Sequence, residues 1–222
     1  MKSGKFIPFE QIPYTEEEMI TRSEQLFEYS NKRRSLRDFS DKPIPKSVIE
    51  NIIKTASTAP SGANKQPWKF CVVTNPELKS KIRKAAEEEE YKSYKSRMSD
   101  EWLKDLEPLG TDWNKEFINI APAIIVVTKC VYDLDENEEK LTNYYVNESV
   151  GLAAGFLLNA IHNVGLVSLT HTPSPMNFLT DLLNRPKNER AFLLIPIGYP
   201  ADNAEVPDIT RKELEDILVY YA

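Results

Sequence analysis

A chain of 222 residues, 41% hydrophobic and 28% charged, has the length and balance of one large soluble globular domain. Its net charge of −6 and pI near 5.2 argue against general nucleic-acid binding, which needs a basic face. The two cysteines, Cys71 and Cys130, sit inside apolar runs without Cys-x-x-Cys or Cys/His spacing, so neither a disulfide frame nor a metal site is expected.

In chain order, residues 1–14, with Pro8 and Pro13, read as an irregular arm. They hold no apolar stretch of the signal-peptide or anchor kind, and Val150 to Ile161 is too short to span a bilayer, so cytoplasmic residence without a membrane is expected. Glu16 to Tyr29 carries Met19, Ile20, Leu26 and Phe27 at helical spacing. Next comes Arg33-Arg34-Ser35-Leu36-Arg37-Asp38-Phe39, three guanidinium groups within five positions. If extended, the segment puts Arg33, Ser35 and Arg37 on one side, two planar forks and a hydroxyl that match a phosphate. A solvated basic patch accounts for the composition equally well.

Ser47 is a candidate cap for a helix holding Val48, Ile49, Ile52, Ile53 and Ala56, ending before Pro60. Ala59 to Trp68 form a loop of small residues, able to approach a flat ligand closely. Trp68 to Val73 reads as a buried strand, residues 75–106 as a charged helical stretch continuing to about Asn119, and Pro122 to Thr128 as a second buried strand. Asp133 to Lys140 reads as an acidic loop. An apolar helix is expected from Leu141 to Val164, with Gly151 and Gly155 one turn apart in either a dimer seam or an internal core. Leu166 to Thr170 and Ala191 to Gly198 supply further strands, and Asn177 to Leu183 a short helix. Buried strands alternating with helices imply one α/β sheet covered on both faces. The chain ends in a 200–222 extension whose apolar Ile217 to Tyr221 needs a packing partner.

No glycine arrangement makes a dinucleotide fingerprint or a P-loop, and neither G-x-S-x-G nor H-E-x-x-H occurs. What remains is the Arg/Ser/Arg segment, a Pro60-Ser61-Gly62-Ala63 loop, Thr170-His171-Thr172-Pro173 after a strand, and Arg211. Together with EEEEYKSYKSRM and the tryptophan-bearing stretch to Glu116, these motifs resemble the nitroreductase superfamily of FMN proteins, and within it the iodotyrosine deiodinases. The likeness runs from about Ser30 to Val219. R-x-S-x-R and P-S-G point only to FMN, whereas Glu87 to Glu116 matches the lid that marks the deiodinases.

The resemblance implies a nitroreductase-like α/β fold of the α+β type in a single domain. It has a central mixed sheet flanked by helices, a lid over residues 85–116, and terminal segments embracing the partner of a homodimer. It implies FMN held by Arg33, Arg34, Ser35, Arg37, Pro60, Ser61, Gly62, Thr170, His171, Thr172 and Arg211. Arg33, Ser35 and Arg211 would take the phosphate, Arg37 the N1/O2 edge of the ring, and Thr172, the catalytic residue, N5. On the substrate side Glu90 would meet the ammonium of a halotyrosine, Lys115 its carboxylate, Tyr94 a further polar group, and the Ala63 N–H the phenolate. Taken alone, Glu90 and Tyr94 are equally a solvated acid and a half-buried tyrosine. Trp102 and Trp113 are expected to hold the lid to the body.

The implied activity is reductive dehalogenation of 3-iodotyrosine and 3,5-diiodotyrosine to tyrosine and iodide, by single-electron steps from reduced flavin. The electron donor would be a reduced nicotinamide or a reductase or flavodoxin-type protein. The alternatives are a general nitroreductase or quinone reductase on the same fold, and a non-catalytic flavin- or halotyrosine-binding protein.

Overall fold

Strand β2 (Ala123–Cys130) shows how the chain makes its core: alternate residues of an extended strand face opposite ways, and here both faces are apolar. Ala123, Ile125 and Val127 enter one buried cluster with Ile49, Ile52, Val150, Leu157 and Ile161, while Ile124 and Val126 enter another with Ile82, Ala86, Ile118 and Leu179. The first cluster belongs to helices α2 (Lys46–Ala56) and α6 (Val146–Asn163), the second to α3 (Pro76–Lys92), α5 (Phe117–Ile120) and α7 (Asn177–Leu182). A sheet covered on both faces follows, as the apolar runs require.

The computed structural model describes residues 4–221, so the first three residues of the expected arm lie outside it. The chain divides into two compact units, Met1–Arg33 and Arg34–Ala222. In the first, α1 (Glu16–Asn31) opens on a reciprocal cap: the Glu18 N–H donates to Thr15 Oγ1 at 3.2 Å and the Thr15 N–H to the Glu18 carboxylate at 2.8 Å. None of its residues is buried, and Met19, Ile20, Leu26 and Phe27 stay exposed.

In the second unit, β1 (Trp68–Val73), β2, β6 (Glu189–Gly198) and β5 (Val167–Ser168) pair antiparallel in the order β1-β2-β6-β5. Ser35 adds a parallel bridge to Ser168, and the Leu36 N–H donates to the Ser168 carbonyl at 3.1 Å. From Arg34 on, the arginine segment is therefore extended at Ser35 and Leu36, the condition for its side chains to alternate, and lies along the β5 edge with Leu36 buried.

Five local expectations change. Residues 133–140 are not merely a loop: β3 (Tyr132–Leu134) and β4 (Lys140–Thr142) form a hairpin whose turn is held by Asp135, its carboxylate accepting the N–H groups of Asn137 and Glu139 at 2.8 Å. Because Leu141 and Thr142 belong to that hairpin, α6 begins only at Val146, after Tyr145 in a left-handed conformation (φ 48°). Helix α2 begins one residue before Ser47, with Pro45 as its flanking residue and no side-chain cap. The third strand contracts to Val167–Ser168. Gly151 and Gly155 face open space, so an internal core is not their role.

Candidate active site

The lid grows out of α3. Asn75 caps this helix, its side chain accepting the Leu78 N–H at 2.8 Å, with Pro76 at the first position. Lys79, Ile82, Arg83, Ala86, Glu87 and Glu90 then fall at positions i, i+3, i+4, i+7, i+8 and i+11, one continuous face. Past Lys92 the helix widens into a π-helical turn, Ser93–Arg97, closed by the Met98 N–H on the Ser93 carbonyl at 2.9 Å. Helix α4 (Asp100–Leu106) follows, capped by Ser99, and the chain returns to the body at Lys115 and α5.

A cavity of about 250 Å³ lies under this lid. Its body side is made by Arg37, Phe117, Leu169, Thr170, His171 and Thr172, its lid side by Glu90, Tyr94, Met98, Trp102, Leu106 and Lys115. Seven of the expected site residues, Arg37, Glu90, Tyr94, Lys115, Thr170, His171 and Thr172, therefore converge on one space. Trp102 lines it as well, and Trp113, expected to tie the lid to the body, stands edge-on to Tyr91 within the lid at 5.6 Å.

The lid polar groups pair with one another. Lys115 Nζ stands 3.5 Å from Glu90 Oε2, 3.3 Å from Thr111 Oγ1, and also donates to the Asp112 carbonyl, while Tyr94 Oη donates to the Thr111 carbonyl at 3.1 Å. Burial raises the Glu90 carboxyl above its ordinary value against the opposing pull of Lys115, and lowers the Lys115 ammonium against the support of Glu90. Burial likewise raises the Tyr94 phenol.

On the body side the polar groups are unspent. Arg37 Nε is buried without a hydrogen-bond partner among the described residues, burial lowers the guanidinium's pKa, and an arginine at that depth remains charged. The Thr172 hydroxyl is exposed to the cavity and bonds to no described residue. His171 exchanges backbone hydrogen bonds with Leu194 at 2.9 and 3.0 Å, and its ring stands edge-on to Phe117. Burial, then the nearby Lys115 and Arg37, pull its imidazole down to about 3, so it is neutral at physiological pH.

The remaining expected residues are placed elsewhere. No residue of 60–64 lines this cavity. Instead the loop is pinned to the start of α6: the Gly62 N–H donates to Ser149 Oγ at 3.2 Å, and a Cβ on Gly62 would come within 2.8 Å of the Tyr144 carbonyl, so no side chain fits. Ser61 Oγ accepts the Gln66 N–H at 2.9 Å. Ala63 follows at φ 50°, exposed, its N–H bonded to no described residue. Arg34 donates to the Pro207 carbonyl, tying the arginine segment to the C-terminal extension. Ser35 is exposed on the β5 edge, Arg33 closes the N-terminal unit, and Arg211 lies exposed in the extension; both arginines have interaction partners.

Sequence reasoning missed Ser149, the buried hydroxyl behind Gly62, and Glu87 and Arg83, which hold the returning segment of the lid at Asn114 to Glu116. The i,i+4 spacing of Arg83 and Glu87 on the Glu90 face was the available signal.

A sheet wrapped by helices, a cationic edge segment and a helical lid over a small cavity define an oxidoreductase-type α/β fold. The Nitroreductase family model matches residues 31–199, and the chain belongs to that family. It is 56% identical over 216 residues to the iodotyrosine deiodinase of Haliscomenobacter hydrossis, covering 97% of each chain, and 46% identical over 214 residues to iodotyrosine deiodinase 1 of Homo sapiens, covering 96% of this chain and 74% of that one. A crystal structure of oxidized iodotyrosine deiodinase bound to FMN and 3-iodo-L-tyrosine superposes with a TM-score of 0.76 at 32% identity, over 89% of this chain and 98% of that one. Within the family the chain falls among the iodotyrosine deiodinases.

Proposed function

We propose that this protein is an FMN-dependent reductive dehalogenase that converts iodotyrosines to tyrosine and iodide, working as a cytoplasmic homodimer supplied by a reduced nicotinamide or a reductase or flavodoxin-type donor. The observation that carries the reading is the meeting of an unspent cationic edge, Arg37 with Thr172, and a buried pair of opposite charges, Glu90 and Lys115, across one cavity. A free amino acid is a zwitterion. Its ammonium and carboxylate exchange one internal ion pair for two, leaving the net charge of the site unchanged.

The residues fit a flavin mononucleotide. Arg37, whose buried Nε has no hydrogen-bond partner among the described residues, would hold the anionic edge of the ring. Thr172 would donate to N5, with Thr170 and His171 beside it, and Arg33, Ser35 and Arg211 would serve the phosphate end, while Arg34 is held on the Pro207 carbonyl. When bound, the flavin supplies the electrons, one at a time. The protein's own part is to bind, orient and shield: Glu90, Tyr94 and Lys115 fix the amino-acid end, and Trp102, Met98 and Leu106 close the lid against water.

A cavity of about 250 Å³ is below the range of about 300–1,000 Å³ usual for sites that bury a whole ligand. The Pro60-Ser61-Gly62-Ala63 loop, with a free N–H at Ala63 and no part in this cavity, is suited to complete the site of a second copy. The exposed apolar groups of α1, of α6 at Leu152 and Phe156, and of Ile217 to Tyr221 support that assembly. Among the described residues no helix is long and apolar enough to cross a membrane.

Anaerobic mixing of the chemically reduced protein with 3-iodotyrosine tests the reading. Flavin reoxidation with release of iodide is expected. Reoxidation by a nitroarene but not by iodotyrosine would identify a general reductase, and iodotyrosine binding without turnover a binding protein.

A further inference from the structure

Lys115, the cation assigned to the substrate carboxylate, sits on the irregular segment by which the lid returns to the body, and what fixes it there is not in the cavity. The Lys115 backbone N–H donates to Glu87 Oε1 at 2.8 Å, across 28 residues of chain. The same oxygen accepts Arg83 Nε at 2.7 Å, and Arg83 Nη2 reaches Asn114 Oδ1 at 3.0 Å and Glu116 Oε1 at 3.6 Å. The residues before and after Lys115 are thus gripped by the arginine that orients Glu87. Four residues before Arg83, Lys79 on the same face of α3 donates to the carbonyls of Asn119 and Ala121 at 2.8 and 2.7 Å. Helix α3 therefore clamps the returning chain at both ends and presents Glu90 from the next turn.

We infer that Glu87 is a positioning residue for halotyrosine binding: by holding the Lys115 backbone through its carboxylate, with Arg83 as its brace, it sets the distance between Lys115 and Glu90 that matches an α-amino acid zwitterion. This rests on the dehalogenase reading. The physical reason for a carboxylate is reach and acceptor capacity, because one oxygen must take an amide N–H and a guanidinium N–H together. Its net charge is the lesser requirement. Glu87 is only partly exposed and touches neither cavity nor flavin-side residues, so its removal leaves Arg37 and Thr172 untouched.

Three variants in the flavin-loaded protein separate the possibilities, read with 3-iodotyrosine and with 2-iodophenol, which lacks the zwitterion. Glu87→Ala is expected to raise KM for 3-iodotyrosine about 10- to 30-fold with kcat within about 3-fold, leaving flavin content and 2-iodophenol binding unchanged, since a lost hydrogen bond to a charged group has that size. Glu87→Gln, of equal reach and still an acceptor, restores KM to within about 3-fold of the unaltered protein, while Glu87→Asp, charged but one methylene short, does not. Combined with Lys115→Ala, the alanine change adds nothing further. If Glu87→Ala fails to fold, the Gln and Asp pair still decides: Asp matching the unaltered protein while Gln is impaired would show that charge and not reach matters, and would overturn the inference. So would an unchanged KM in Glu87→Ala, or equal losses toward 2-iodophenol. Failure of the unaltered protein to dehalogenate 3-iodotyrosine would instead sink the underlying reading.

Discussion

The two walls of the cavity are built by different means. The body wall takes its residues from backbone ladders: Thr170 to Thr172 follow β5, His171 is bonded to Leu194 on both its N–H and its carbonyl, and the Arg37 segment rides on Ser168. The lid wall takes its residues from ion pairs and side-chain caps, many of them exposed, and it returns to the body through Glu87, Lys79 and Arg97. A wall hung on side chains opens at small energetic cost, whereas one woven into a sheet does not. The body wall suits a ligand that stays, and the lid wall one that comes and goes.

If that contrast is right, damage to the body should cost flavin and damage to the lid should cost amino acid. Arg37→Ala leaves the anionic ring edge without its buried cation, and flavin affinity should fall about 100-fold or more, measured by fluorescence titration of the apoprotein. Retention of flavin at the unaltered level would break the comparison. Glu90→Gln should weaken 3-iodotyrosine binding about 10- to 150-fold, corresponding to about 1.5–3 kcal/mol, with nitroarene reduction and flavin content intact.

His171 offers a test through pH. Its folded pKa of about 3 lies below the ordinary 6.5, so between those values the unfolded chain binds more protons. Its contribution to stability is fully present above pH 6.5 and is lost as pH falls toward 3, with a slope of at most about 1.4 kcal/mol per pH unit. Denaturation midpoints for His171→Gln should therefore fall less between pH 7 and pH 4 than those of the unaltered protein; parallel curves would show that the buried imidazole is not responsible. The smallest effect belongs to the lid's outer latch. Arg97 Nη1 joins Glu89 at 2.9 Å to the Ser174 carbonyl at 3.1 Å, a half-exposed arrangement worth about 0.2–1 kcal/mol. Arg97→Ala should speed proteolytic cleavage within residues 93–113 about 2- to 5-fold and leave the flavin in place.

The body wall was legible in the chain and the lid wall only half so. Strand β1 keeps the six residues Trp68–Val73 of its expected run, and β6 runs only two residues beyond its apolar run. Glu90 and Tyr94 could be paired because helical spacing is a local code. Lys115 joined them only by family resemblance, since its bond to Glu87 closes 28 residues and leaves no periodic trace. The β3-β4 hairpin escaped for a related reason: three-residue strands are too short to show alternation, and Asp135, which shapes the turn, is hidden in a run of acids. Trp102 reads by its type as a packing residue that ties the lid to the body; its place on the cavity depends on the extended joint at Met98 and Ser99, which no periodicity announces.

The π-helical turn at Ser93–Arg97 takes in one residue more than an α-turn and is where the helix begun at Pro76 ends. Met98 (φ −80°, ψ 138°) and Ser99 (φ −72°, ψ 159°) are extended, so α4 starts on an axis of its own. Its phase is not carried over from α3. The outer half of the lid hangs from a two-residue joint, and the length of the turn decides where on the rim of the cavity that joint begins.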